Sequence, residues 1–195
     1  MSEALAAELG KLGRRTATWR GKAYRRLFPL QVAPGCRFGR GVFVDGIIAC
    51  EIGPQVILSD GVGLIARTPG RLLIGAKTFV NAGTTFSSTG QGITVGTDVL
   101  FGPHVTVVDQ NHAFEDGSRP IARQGMSDGG AVTIGDGAWV AAGAVILGPT
   151  SLAPGSVVGA NSVVKGHFPR RCVIAGAPAR VVRYLDAEVQ GEDQK

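Results

Sequence analysis

No apolar run in this 195-residue chain approaches the ~20 residues that a helix needs to cross a bilayer, so a spanning helix is not expected. Aromatic residues are scarce, at 6% of the chain, which argues for a narrow interior filled by aliphatic and small side chains. Cysteine occurs three times, as Cys36, Cys50 and Cys172, an odd number without metal-ligand spacing. These thiols are expected to be reduced and structural. The start of the chain lacks the charged-then-apolar layout of a signal peptide, and a cytoplasmic protein is expected. No phosphate-cradling glycine loop, no GxGxxG after a strand and no cysteine cluster is present.

What the chain has in quantity is glycine, 30 residues, and a period. In TIGDGAWVAAGAVILGPTSLAPGSVVGANSVVKG, residues 133–166, an aliphatic residue recurs every sixth position, at Ile134, Val140, Ile146, Leu152, Val158 and Val164. Six fits neither the 3.6-residue helix nor two-residue alternation, so it signals a repeat. Four residues after the first five aliphatics stand the small residues Ala138, Ala144, Thr150, Ser156 and Ser162. Between them come Gly137, Gly143, Pro149, Gly155 and Asn161, mostly residues that accept positive φ at a turn; Pro149 is the exception. The unit is therefore a short strand and a turn. Three units close a triangular coil, with the large residue inside and the small one near the corner, and coils stack as parallel strands.

The same register runs upstream through Phe38, Val44, Cys50; Ile52, Leu58, Leu64; Ile74, Val80, Phe86; and Val95, Phe101, Val107. Thr78, Thr84, Val99 and Val105 take the smaller slot. With 134–146 and 152–164, about six coils would make a prism roughly 29 Å tall. The fold class is all-β, a solenoid over residues 32–184 followed by a tail at 185–195.

Residues 1–31 differ. Leu5, Leu9, Leu12, Trp19, Ala23 and Leu27 fall near one stripe at helical spacing, ending before Pro29. Seven Lys/Arg and two Glu here give +5, the net charge of the whole chain, so residues 32–195 balance at zero. A basic amphipathic helix is expected, packed over the open end of the first coil, where it would cover unpaired strand edges. Weak contact with an anionic membrane face is the alternative role. Nucleic acid is not an expected partner, because the body is neutral and no aromatic platform interleaves the charges.

The hexapeptide run, VIAGAPARVVR at 173–183 and VGTDVLFGPHVTVVDQNH at 95–112 resemble the left-handed β-helix acyltransferases, particularly bacterial sugar and polysaccharide O-acetyltransferases. The resemblance covers about residues 38–184 and supplies the handedness, since general crossover rules favour the right-handed path. It implies a homotrimer, acetyl-CoA as cosubstrate, a saccharide acceptor and no metal. The repeat breaks between Val107 and Ile134, leaving an extruded loop at 110–131 that begins near His112. Long loops on rigid scaffolds tend to be functional. By the resemblance, His112 is the general base that takes the proton of the attacking hydroxyl, as an imidazole titrating near neutrality can. Asp109 is the favoured orienting partner, with Glu115, Asp116 or a backbone carbonyl as alternatives. Gln110 stands where many relatives have a second histidine.

The resemblance also implies a donor groove between subunits. Trp139 would flank the pantetheine arm, and Ala142, Gly143 and Ala160 would offer backbone groups. Lys165, Arg180 and Arg183 would meet the nucleotide phosphates. Asn81 matches a place where such enzymes hold the acceptor. His104 reads as a turn residue, because histidine tolerates positive φ. Three other functions stay open: acetylation of an amino sugar, a small-molecule amine or an antibiotic; a β-helical zinc lyase, which needs three histidine ligands; and a non-catalytic scaffold.

Overall fold

The computed structural model describes residues 16–28, 31–127 and 129–186. From residue 32 onward the chain winds as short strands that pair in parallel with the coils above and below. It is a left-handed parallel β-helix with three faces. The first face stacks Arg37–Phe38, Ile57–Leu58, Phe79–Val80, Leu100–Phe101, Trp139–Val140, Val157–Val158 and Cys172–Gly176. The second stacks Phe43–Asp45, Gly63–Ala66, Thr85–Ser88, Thr106–Val108 and the start of Val145–Leu152. On the third lie Cys50–Ile52, Leu72–Ile74, Ile93–Val95, Val132–Ile134 and the end of Val145–Leu152. That last strand runs across the corner at Pro149, so this corner is turned without a positive φ.

The large positions read from the period, Phe38 to Val164, are buried, with Val44 in the first coil only partly so. Thr78 and Thr84 show why a hydroxyl is tolerated in the small slot. Each donates to a carbonyl one coil on, Thr78 to Gly96 at 3.1 Å and Thr84 to Gly102 at 3.0 Å. Each also accepts an amide, from Val99 and Val105. At the last coil, Ala179–Tyr184 folds back antiparallel on Cys172–Gly176 and covers that edge.

A helix spans residues 16–27; the earlier part of the expected helical segment lies outside the described residues. It packs at the first-coil end, but not through the stripe the spacing suggests. Trp19 and Leu27 are 68% and 71% exposed. The face against the body is Arg20, Gly21 and Tyr24. Arg20 Nε donates to the Phe38 carbonyl at 2.9 Å, the Tyr24 ring lies 5.0 Å from that of Phe38, and a Cβ on Gly21 would meet the Cys36 carbonyl. The physical reason is that a sheet edge presents carbonyls. Covering it takes close approach and a donor, which glycine and arginine supply and an apolar stripe does not.

Candidate functional site

Stacking short strands puts every turn of a given type on one edge of the prism. Along the edge between the first and second faces, the chain is stitched coil to coil: His104 N donates to Ala82 O, Gly143 N to Pro103 O and Asn161 N to Ala142 O, each at 2.9 Å. Asn81, His104, Ala142, Gly143 and Ala160 therefore share one edge. His104 has φ 57° and its ring lies against Gly83, where an added Cβ would come within 2.4 Å of Nδ1. It is a turn residue, as its slot implies. The Asn81 side-chain oxygen accepts the Ala82 amide at 2.8 Å. Gly143, φ 68°, with Ala141, Ala142 and Ala160 around it, makes the later part of this edge a run of small residues beyond His104.

Arg180 comes near the end of the same edge through its pairing with Ala175, and Arg183 pairs Val173 on the first face. Both are exposed. Trp139 points outward from the first face, half exposed, between Leu100 and Val157. Leu100, also about half exposed, and Phe79 continue this outward apolar row. In the sequence this row is the residue just before each interior aliphatic of the first face, a position that the interior period leaves unassigned.

The loop at 110–131 leaves from the next edge, between the second and third faces. It is extruded but braced. Asn111–His112 pairs antiparallel with Met126–Ser127, and Gln124 bridges Asp116 and Arg119 through hydrogen bonds of 2.8 to 3.0 Å. His112 sits at the base of this hairpin, exposed to solvent. Lys165 lies two coils on along the same side, also exposed. Within one chain, then, His112 and the small-residue edge lie on neighbouring edges, separated by the second face.

Two of the carboxylates near His112 are engaged by other partners. Asp109 is fully buried and accepts hydrogen bonds from the amides of Thr89, Gly90 and Gly92 and from the Ser88 hydroxyl, at 2.7 to 3.0 Å. It holds the 88–92 turn in place, and none of these hydrogen bonds reaches His112. Gln110 is tied to the Thr89 hydroxyl at 2.7 Å. Asp116 accepts from Ser118 and Arg119, and the Ser118 hydrogen bonds first, then Arg119, hold its carboxyl below the usual range. Among the described residues no group of three or more His, Cys, Asp or Glu could hold a metal ion.

Residues 131–166 match the family model for the bacterial transferase hexapeptide, six repeats. The period, the three faces and this match define a hexapeptide-repeat left-handed β-helix protein. The chain is related to bacterial sugar O-acetyltransferases. It is 33% identical over 106 residues to the putative lipopolysaccharide biosynthesis O-acetyl transferase WbbJ of Escherichia coli, covering 51% of this chain and 54% of WbbJ. To the Escherichia coli galactoside O-acetyltransferase it is 32% identical over 94 residues, 48% of this chain and 45% of that one. The chain thus spans about half the length of the curated relatives it matches. Its fold is shared with AntD, an N-acyltransferase from Bacillus cereus solved with dTDP and coenzyme A, at TM-score 0.73 and 18% identity, covering 86% of this chain and 90% of that one.

Proposed function

We propose that this protein is an acyl-CoA-dependent acyltransferase acting on a sugar or nucleotide sugar, with acetyl-CoA as donor, and that its site forms between copies of the chain in a homotrimer. The carrying observation is the pair of neighbouring edges. One presents the exposed imidazole of His112 on a braced loop, and the other an open run of small turn residues. A site needing both is completed when the loop of one copy meets the small-residue edge of the next.

In that site the pantetheine arm lies along Ala142, Gly143 and Ala160 beside Trp139, with Lys165, Arg180 and Arg183 available to the phosphates. Asn81 lies two coils before Gly143 on the same edge, placed to meet the acceptor. His112 removes the proton as the acceptor atom attacks the thioester carbonyl. When the tetrahedral intermediate collapses, the C–S bond breaks and the proton passes to the departing thiolate. With Asp109 and Asp116 engaged elsewhere, the second ring nitrogen of His112 is held by Glu115, by a backbone carbonyl or by a neighbouring copy.

Two acceptor atoms fit this chemistry. The likeness to WbbJ and the galactoside enzyme supports a hydroxyl of a saccharide. The fold shared with AntD, an N-acyltransferase seen with dTDP and coenzyme A, supports the amine of an amino sugar. The test is a transfer screen with acetyl-CoA against oligosaccharides, nucleotide sugars and amino sugars, following thiol release and identifying products by mass spectrometry. An O-acetyl or N-acetyl sugar decides the atom. A folded protein that neither binds coenzyme A nor acylates any of these would end the reading.

A further inference from the structure

We propose that the outward face of the N-terminal helix docks on an anionic lipid surface. The helix has two faces, and the acyl-transfer site uses neither. Arg20, Gly21 and Tyr24 cap the first coil. The opposite side carries Trp19, Lys22, Ala23, Arg26 and Leu27 at positions i, i+3, i+4, i+7 and i+8, a single helical stripe. Trp19 and Leu27 are 68% and 71% exposed, and Lys22 and Arg26 are exposed beside them. Single exposed apolar residues need no explanation. Two large ones aligned on one stripe and bracketed by cations form the pattern of a helix lying in a membrane interface, where tryptophan finds both an apolar and a wet environment.

Charge selects the partner. Between residues 9 and 44 the chain has nine Lys/Arg and no Asp or Glu, whereas residues 32–195 as a whole balance at zero. Cations next to an anionic leaflet are attracted within about a Debye length, and the apolar stripe supplies the contact that outlasts screening. Ile48, 76% exposed in the first coil, adds a further apolar contact at the same end of the prism. Docking through this end leaves the later coils, including His112 and the Ala142–Gly143 edge, facing away from the lipid. The inference is independent of the acyl-transfer reading.

The test is co-sedimentation of the full chain with vesicles of pure phosphatidylcholine and of equal parts phosphatidylcholine and phosphatidylglycerol. Binding is expected to the anionic vesicles alone and to weaken as salt is raised. Either double variant, Trp19→Asp with Leu27→Asp or Lys22→Glu with Arg26→Glu, should weaken it at least about tenfold with unchanged melting temperature and sedimentation coefficient. Equal binding to both vesicle types, or binding to neither, overturns the proposal. It is also overturned if the Trp19/Leu27 variant changes the oligomeric state, since the stripe would then be an interface between copies. Salt-dependent binding to a DNA duplex that is lost only with the two cations would likewise count against it.

Discussion

Asp109 accepts a 2.7 Å hydrogen bond from the amide of Gly92, drawing the third-face strand that begins at Ile93 against the end of the second-face strand one coil later. The same carboxylate binds the amides of Thr89 and Gly90, so one buried side chain satisfies three donors of a partly buried turn. Three residues before an exposed imidazole, this carboxylate serves the scaffold.

Asp109→Ala should therefore act on stability, because it removes the acceptor of three partly buried amides and empties a buried polar position. A loss of about 2–4 kcal/mol is expected in urea unfolding. A fully stable Asp109→Ala protein with collapsed turnover would return the residue to the chemistry.

His112→Ala should do the opposite. Its side chain is exposed on an extruded loop, so the melting temperature should hold while kcat falls roughly 10²–10⁴-fold. His104→Asn is the control. It keeps a residue that tolerates φ near 57° and should retain most activity. Near-normal turnover of His112→Ala would remove the general-base assignment.

The solenoid was legible because its period is covalent: each coil repeats the same six-residue demand for one large and one small interior residue, from Phe38 to Val164. The edge positions of Asn81, Gly143 and Ala160 follow from that register. What did not follow were interactions that cross coils without a period. Asp109 reaches back to Thr89 through Gly92, and nothing in the DQNH segment distinguishes such a carboxylate from one that orients a histidine. The helix was legible, but the face it buries was not, for a related reason. Apolar spacing finds the face that wants burial, while the sheet edge took the face that could donate to it and approach it closely.

That assignment is testable at Gly21, where a side chain would collide with the Cys36 carbonyl. Gly21→Leu should lift the helix from the first coil and expose Phe38, lowering stability by about 1–3 kcal/mol. Faster proteolysis within residues 16–28, with the solenoid surviving, would report the detachment. An unchanged melting temperature and cleavage pattern would refute the docking.

Burial pushes the Cys50 thiol up to about 11. The unfolded thiol ionises near 8.5, at its ordinary value. Its contribution to stability is thus full below the unfolded value and is lost as pH rises towards about 11. Between pH 8 and pH 11, wild type should lose on the order of 2–3 kcal/mol more than Cys50→Ala in urea unfolding. Parallel pH profiles for the two proteins would show that the thiol titrates freely.

If the proposed site forms between copies, no single chain holds all of it. His112 leaves from the edge between the second and third faces, and Ala142 lies on the edge between the first and second. Chains carrying His112→Ala and chains carrying Ala142→Arg, which fills the donor edge, should each be inactive as pure trimers. If each site takes its imidazole from one copy and its donor edge from the next, mixed trimers contain sites with both parts intact. Random assembly of equal amounts restores about a quarter of the sites, since each of two independent choices succeeds half the time. Co-expression followed by an acetyl-transfer assay measures this directly. Mixed trimers, verified by mass spectrometry, that stay as inactive as either parent would place both parts of the site in one chain.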